Sequence, residues 1–427
     1  MIKLYRDYLS KHSFCLSQIS ETPNLNIGII VVIPCFNEPD LISSMESLWN
    51  CLRPQCSVEV IVVINAPINS NEEIIFQNEK SFSEMKNWVL NHDDESLKFF
   101  CIKNYSFPEK HAGVGLARKI GMDEAIVRFE KSGNEKGIIV CFDADSTCDK
   151  NYLTEIESHF KKNPETLASS IYFEHPVDER GIKSFENISD IKNGIIQYEL
   201  FIRYYRQGLK FANHPAAFHT IGSSMAVRSD IYCKQGGMNR RKAGEDFYFL
   251  HKMIPLGNFS EINSTKVIPS PRPSFRVPFG TGRAISDFIK NQQKIIFAYH
   301  PQIFADLKIL CEAVPNFYRL GNISEIFSEI PISIQKFLIE TDFEKKIKEI
   351  SENSSSKQMF IKRFFRWFDG FIVLKFTHFS RNNFYKNIPV SDAAKQLFLM
   401  MNLKVQTNIS DRELLEIYRN IDRNILI

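Results

Sequence analysis

Three acidic clusters in this 427-residue chain have the residue types and spacing for chemistry on a phosphorylated ligand. Asp143 and Asp145 follow directly on GIIVCF (137–142), a short apolar run that reads as a strand buried on both faces. Two carboxylates at i and i+2 beyond such a strand can hold a divalent cation, which takes oxygen ligands and completes its shell with phosphates. They could equally cap the next helix, whose apolar face would be Leu153, Ile156 and Phe160. Glu245 and Asp246 open a predicted helix in GEDFYFLHK (244–252). An acid there either complements the helix N-terminus or acts as general base toward an attacking hydroxyl. Pro34, Asn37 and Glu38 stand where the first strand breaks into its helix. They could present an amide and a carboxylate to a nucleoside, or simply stop the strand and cap the helix.

The elements that must carry these residues alternate between strand and helix from Ile27 to about Ala125, the pattern of an α/β layer with a parallel sheet. IGIIVVIP (27–34) is a continuous β-branched run, as a strand covered on both faces requires, and VEVIVVI (58–64) repeats the buried-strand pattern. Pro39 suits a first helical turn, and Leu41, Met45, Leu48 and Leu52 then share one face. A second helix is predicted over 113–129. Ligands of open α/β sheets bind just past the carboxyl ends of the strands, which is where Asp143 and Asp145 fall. Further on, TIGSSMAVR (220–228) reads as a strand, followed by a turn at Gly236 and Gly237. VIPSPRPSFRVPFGTG (267–282) is too rich in proline for a helix and reads as an ordered loop or lid. Arg272, Arg276 and Arg283 could fold over a diphosphate and pair with its oxygens, or be solvated surface charges. Apolar spacing beyond Ala284 is helical. Two domains are expected, 1–284 and a mostly helical 285–427.

Composition narrows the partners. Lys and Arg number 53 against 50 Asp and Glu, so no global positive field points to nucleic acid. Cys35 and Cys141 lie within or beside strand-like runs, and the nine cysteines read as reduced thiols. Cys51 and Cys56 lack partners at zinc-ligand spacing. His219 and His251 read as structural residues rather than metal ligands. MIKLYRDYLSKHSF has no uninterrupted apolar core of the kind a signal peptide needs, and no run approaches the ~18 apolar residues of a membrane span. A soluble, cytoplasmic protein is expected. KQMFIKRFFRWFDGFIVLKF (357–376) interleaves basic and aromatic residues. It could make peripheral contact with the inner face of a membrane, or pack inward with its basic side in water.

In order, type and spacing the clusters together resemble the family 2 glycosyltransferases of the GT-A fold. The opening V-x-I-P-x-Y-N-E is VVIPCFNE (31–38), with Phe36 in place of tyrosine; the Gly-rich segment is HAGVGLARKIG (111–121), with Arg118 at its basic position; the D-x-D is Asp143 and Asp145; and IGSSMAVRSDIYCKQGGMNRRKAGED (221–246) carries the G-S-x-M-A-x-R strand, the Gly-Gly turn and the E-D motif. The resemblance implies a nucleotide-diphospho-sugar transferase fold: an α/β, Rossmann-like mixed sheet flanked by helices, with a helical C-terminal region. It implies a donor nucleotide contacted by Pro34, Asn37, Glu38, Asn65, Arg118 and Asp143, and a diphosphate on Mn2+ or Mg2+ held by Asp145 and Asp143. Asp246 would be the base of an inverting displacement, with Glu245 orienting base or acceptor. One departure is VVINAP, which puts Asn65 where the family has paired aspartates. A UDP-sugar is the expected donor, and a glycan or lipid-linked hydroxyl in surface polysaccharide biosynthesis the expected acceptor. No Q-x-x-R-W motif is present, which favours transfer of a single sugar. Two rival readings stand beside this one. FDADST (142–147) also fits the D-x-D-x-T of haloacid-dehalogenase-like phosphohydrolases, with Asp143 as nucleophile and Asp145 beside it, and the chain could be a non-catalytic nucleotide-sugar binding module.

Overall fold

Uninterrupted Ile and Val runs can only be satisfied inside a sheet covered on both faces, and they form the middle of one eight-stranded sheet. The computed structural model describes residues 2–178, 187–319, 325, 327–404, 406 and 408–424. In chain order the strands are β1 (Ile27–Cys35), β2 (Ser57–Pro67), β3 (Leu97–Phe107), β4 (Ile138–Cys141), β5 (Thr147–Cys148), β6 (Ala168–Phe173), β7 (Met225–Arg228) and β8 (Phe259–Ile268). Across the sheet they run β3-β2-β1-β4-β7-β6-β8-β5. The first four are parallel to one another. β7 is antiparallel to both β4 and β6, β8 is parallel to β6, and β5 pairs antiparallel with β8. The sheet is therefore mixed, as the GT-A resemblance implies.

Three local features differ from the sequence reading. β3 went unpredicted because it is an edge strand: Leu97, Phe99, Ile102 and Phe107 are buried while Lys98 and Lys103 reach solvent, so no continuous apolar run marks it. Only 225–228 of the expected strand over 220–228 pair in the sheet. Leu52 leaves the predicted apolar stripe and is 59% exposed, because its helix ends at Trp49.

The helices are α1 (Ile2–His12), α2 (Leu41–Trp49), α3 (Glu72–Leu90), α4 (Val114–Ser132), α5 (Tyr152–Lys162), α6 (Ile188–Phe211), α7 (Ser229–Lys234) and α8 (Glu245–Met253), followed by the C-terminal helices. α4 is buried along most of its length, with even Arg118, Lys119, Asp123, Glu124 and Arg128 shielded from water. Each of these charges has a partner, as burial demands, although Glu124 is held only by the Ser17 hydroxyl and the Gln18 N–H. Arg128 binds Glu59, Lys119 binds Asp123, and Asp123 also accepts from the hydroxyls of Tyr8 (2.7 Å) and Tyr232 (2.8 Å). Tyr8 lies on α1, so the N-terminal stretch is an integral part of this packing.

The chain divides into two compact units, 1–182 with 220–283, and 183–219 with 284–427. Residues 183–219, inside the span expected for the first domain, thus cluster with the C-terminal helices. In that second unit α6 is tied to the last helix (Asp411–Asp422) by buried ion pairs: Arg203 and Arg206 reach Asp422, and Arg419 reaches Glu199. Burial alone would raise the Asp422 carboxyl, but His219, Arg203 and Arg206 hold it far below the carboxylate range. The helices over Lys357–Trp367 and Gly370–Asn383 bury Phe360, Phe364, Val373 and Phe376 and expose Lys362, Arg363 and Arg366. Among the described residues no helix is long and apolar enough to cross a membrane.

Candidate active site

Two guanidinium-centred knots in the first unit gather the acidic motifs. The first begins with the Gly-rich segment. Gly115 N donates to Arg241 O at 3.2 Å, and a Cβ at Gly115 would lie only 2.4 Å from that oxygen. The glycine thus admits the 239–242 loop against the start of α4, and Asn239 Nδ2 holds the end of the loop by donating to Glu245 O at 2.8 Å. One turn into α4, the buried Arg118 donates through Nη1 to Glu245 Oε1 and through Nη2 to Asp143 Oδ1 at 2.5 Å. Gly222 leaves room for that guanidinium, since a Cβ there would stand 2.4 Å from Nη1. One cation therefore joins the D-x-D and E-D motifs.

The electrostatics follow from burial. Glu245 is 2% exposed, and burial pushes its carboxyl up to about 7 against the pull of Arg118, with Asp246 adding to the rise. Asp246 is raised too, first by burial and then by Asp143, while Arg118 and the N–H of Phe247, 2.7 Å from Oδ1, oppose the shift. Burial alone would lower Arg118, but Asp143 and Glu245 raise it, so it stays charged.

The second knot forms where β1 ends. Glu38 is buried, and its Oε2 accepts from both Arg272 and Arg276 Nη1, the latter at 2.8 Å. The same two guanidiniums lie 3.6 and 3.5 Å from Asp145 Oδ2. The proline-rich segment is thus anchored on the strand ends, and Arg276 also donates to Phe36 O at 3.1 Å. Burial, with Glu38 and Asp143 as like charges, pushes Asp145 up to about 6 although Arg276 and Arg272 pull it down. Arg283 lies with its guanidinium over the Phe275 ring.

Asn65 sits at the end of β2, where its Nδ2 donates to Cys35 O at 3.0 Å and Val63 O at 3.2 Å. Pro34 lies in β1, and Asn37 adopts a left-handed φ of 50°. A residue the sequence did not single out binds these two loops together. Asn78, fully buried on α3, accepts from Asn37 N at 2.8 Å and donates to Asn65 O at 2.9 Å. A single amide inside a helix carries no sequence signal for such a brace. The two histidines lie elsewhere: His219 pairs with Asp422 in the second unit, and the His251 ring packs edge-on against Phe247. The cavity of about 410 Å³ lined by Asn26, Gly28, Lys136 and Arg228 is at the opposite end of β1 and holds none of the acidic motif residues.

Whether a divalent cation suits the site turns on donor type and charge. Among the described residues no three His, Cys, Asp or Glu side chains form a metal-binding group. Asp143 and Asp145 nevertheless offer hard oxygen donors that remain about one-third and one-quarter exposed. Five carboxylates, Glu38, Asp143, Asp145, Glu245 and Asp246, face three guanidiniums in the two knots, an excess of negative charge that a dication would offset. The residues therefore fit Mn2+ or Mg2+ bound by two aspartates, with a ligand's phosphates completing the shell.

The profile of the glycosyl transferase family 2 matches residues 30–234, which include Glu38, Arg118 and both aspartates. No curated protein matches the sequence. Among solved structures, S. aureus TarS 1–349 in complex with UDP-GlcNAc is similar at 12% identity and a TM-score of 0.40, covering 90% of this chain and 95% of that one. TarS 1–349 alone aligns at 13% identity and 0.38, over 80% and 90%. A longer TarS structure aligns at 12% and 0.36, over 84% of this chain and 54% of its own. Likeness this distant says nothing about substrate.

Proposed function

Residues 30–234 are a glycosyl transferase family 2 domain, and from that premise we propose that the chain moves a single sugar from a UDP-sugar to a hydroxyl of a glycan or lipid-linked acceptor. The observation that carries this reading is the meeting of Asp143 and Glu245 on the one buried guanidinium of Arg118. Motifs about a hundred residues apart in sequence are thereby held at one strand end, which suits a diphosphate on one side and an acceptor on the other. The phosphohydrolase reading of FDADST falls with the family assignment.

In this mechanism Asp246 takes the proton of the acceptor hydroxyl as its oxygen bonds to the anomeric carbon, and the nucleoside diphosphate departs from the opposite face. One displacement inverts the centre, and one base suffices. Glu245, fixed by Arg118, sets the first turn of α8 and so the position of Asp246. Asp143 and Asp145 would hold Mn2+ or Mg2+, which supplies neutralisation of the charge growing on the leaving diphosphate. Arg272 and Arg276 are within reach of the same carboxylates and can exchange them for phosphate oxygens, for which paired guanidiniums are well suited. Asn65 turns its Nδ2 inward to two strand carbonyls, which leaves Oδ1 as the acceptor for a base N–H such as that of uracil. The exposed Lys362, Arg363 and Arg366 suit an anionic membrane surface carrying a lipid-linked acceptor at the cytoplasmic face of the cell envelope.

Thermal shift with a panel of nucleotide-sugars, with and without Mn2+, tests the reading. A donor at about a hundred times its Kd should stabilise by about 2.7 kcal/mol, and only when the metal is present. Asp145→Asn should abolish that shift. A panel in which no nucleotide-sugar raises the melting temperature in either Mn2+ or Mg2+ would sink the proposal.

A further inference from the structure

Two cysteines 97 residues apart in sequence, Cys51 and Cys148, have their sulfurs 3.7 Å from each other in the first unit. Cys51 follows α2, and Cys148 ends β5, three residues beyond Asp145. The two segments are held side by side by backbone: Leu52 N donates to Lys150 O at 2.7 Å, and Cys148 N donates to Ser47 Oγ at 2.8 Å. The surroundings of the two sulfurs differ. Cys51 Sγ lies 3.4 Å from Ser47 O and 3.7 Å from Asp149 O, and the backbone N–H groups of Leu153 and Tyr152 at the start of α5, with Arg53, favour its thiolate. The hydrogen bond from Cys148, those N–H groups and Arg53 together outweigh burial and hold the Cys51 thiol below its ordinary range. Cys148 is raised, chiefly by burial and by its neighbour, so it is the member of the pair that keeps its proton. Among the other cysteines, burial pushes Cys15 up to about 11 and Cys56 and Cys101 up to about 12. None of these five serves the proposed transfer.

We propose that Cys51 and Cys148 form a peroxide-oxidised dithiol site that closes to a reversible disulfide beside the aspartate pair. The Cys51 thiolate attacks one oxygen of hydrogen peroxide, the O–O bond breaks, and hydroxide leaves to become water, giving a sulfenic acid on Cys51. The Cys148 sulfur then attacks Cys51 Sγ, the S–O bond breaks, and the hydroxyl departs as water with the Cys148 proton. Two thiols lose two electrons in all, and one peroxide becomes two waters. Closing the bond requires the sulfurs to approach by about 1.7 Å, from 3.7 Å to the ~2.05 Å of a disulfide. Cys148 is partly exposed and Cys51 is buried beside it, so peroxide must approach the pair from the Cys148 side. The consequence falls on the transfer site, because Cys148 pairs with Val267 of β8, the strand that leads into the Arg272 and Arg276 segment. The site is thus a redox control on the same strand ends, and its chemistry does not depend on the transfer reaction.

Mass spectrometry on the full chain tests the proposal. The reduced protein is treated with hydrogen peroxide, alkylated and digested under non-reducing conditions. The expected result is a loss of about 2 Da, a crosslinked peptide joining Cys51 to Cys148, and reversal of both by dithiothreitol. In Cys148→Ser, and in Cys148→Ala should the serine variant fold poorly, the sulfenic acid should persist on Cys51 and be trapped by dimedone. Oxidation of Cys15, Cys56 or Cys101 with no Cys51–Cys148 peptide in the wild type would overturn it. So would a crosslink forming as fast in urea as in the native protein.

Discussion

Arg118→Met removes the cation that joins two acidic motifs, and the cost can be worked from what each carboxylate has left. Asp143 is about one-third exposed, so water takes over its solvation and its share is at most about 1 kcal/mol. Glu245 is 2% exposed and would stand as an uncompensated buried charge, a loss of about 3–5 kcal/mol. Without the guanidinium its carboxyl rises further above 7. The sign of the pH dependence follows. A folded-state pKa above the unfolded value favours the folded chain below the unfolded pKa, and that advantage is lost as pH rises through the folded pKa. The variant should therefore be penalised more at pH 8 than at pH 5.5. A Trp367→Phe background leaves Trp49 and Trp88, both in the first unit, as the fluorescence reporters of urea unfolding. With an m-value near the ~3 kcal/mol/M upper end for urea, the midpoint at pH 8 should fall by about 1 M or more. Adding Glu245→Gln should recover more than half of that loss. A single variant within about 1 kcal/mol of its parent, or a double variant no better than the single, would refute the account of Arg118 as the compensating charge.

Other consequences are simpler to measure. Asp246→Asn should leave donor binding intact in a thermal-shift titration and lower transfer by about 10²–10⁴-fold in an acceptor assay. Because Asp145 is pushed up to about 6, metal-dependent donor binding should weaken as pH falls through 6, where protons displace the cation; a flat profile between pH 5 and 8 would count against Asp145 as a ligand. Gly115→Ala drives a Cβ to 2.4 Å from Arg241 O and should cost about 1–3 kcal/mol in urea unfolding. It should also lower kcat, since the displaced loop leads to Glu245 and Asp246.

The parts of this fold that were legible in sequence are those where one residue type must satisfy one environment. β1, β2 and β4 are mostly Ile and Val because both faces of each strand are covered, and a polar residue enters such a run only where it is paired, as Glu59 is with Arg128. β3 has an edge position and a polar side, so its alternation is diluted by Lys98 and Lys103 and it escaped notice. α6 raises a different difficulty. Nothing local marks its Glu199, Arg203 and Arg206 as buried, because their partners Asp422 and Arg419 lie more than two hundred residues away. Residues 187–219 join the second unit through the packing of α6 on helices far along the chain, which leaves no local periodicity to read.

The candidate site divides along the same line. Acidic residues at strand ends and helix starts can be picked out because their neighbours define the element they terminate, and Asp143, Asp145, Glu245 and Asp246 all stand where such ends were expected. What joins them is a matter of pairing across the fold. Arg118 could be noticed in a Gly-rich segment, yet its double engagement depends on the 239–242 loop reaching the start of α4, which Gly115 permits by lacking a side chain. Arg272 and Arg276 were legible as cations that could reach a diphosphate. Their grip on Glu38 and Asp145 adds a competition that sequence does not contain: any phosphate entering here must draw the guanidiniums from carboxylates they already hold. Since Asp145 is raised by burial and then by Glu38 and Asp143 while those arginines restrain it, withdrawing them toward phosphate would leave three like charges less compensated. Donor and cation should therefore bind cooperatively, each strengthening the other by the same factor. Titrating UDP-sugar at rising Mn2+, and Mn2+ at rising UDP-sugar, should return equal coupling factors above one; a factor of one would mean that the arginines and the acids act independently.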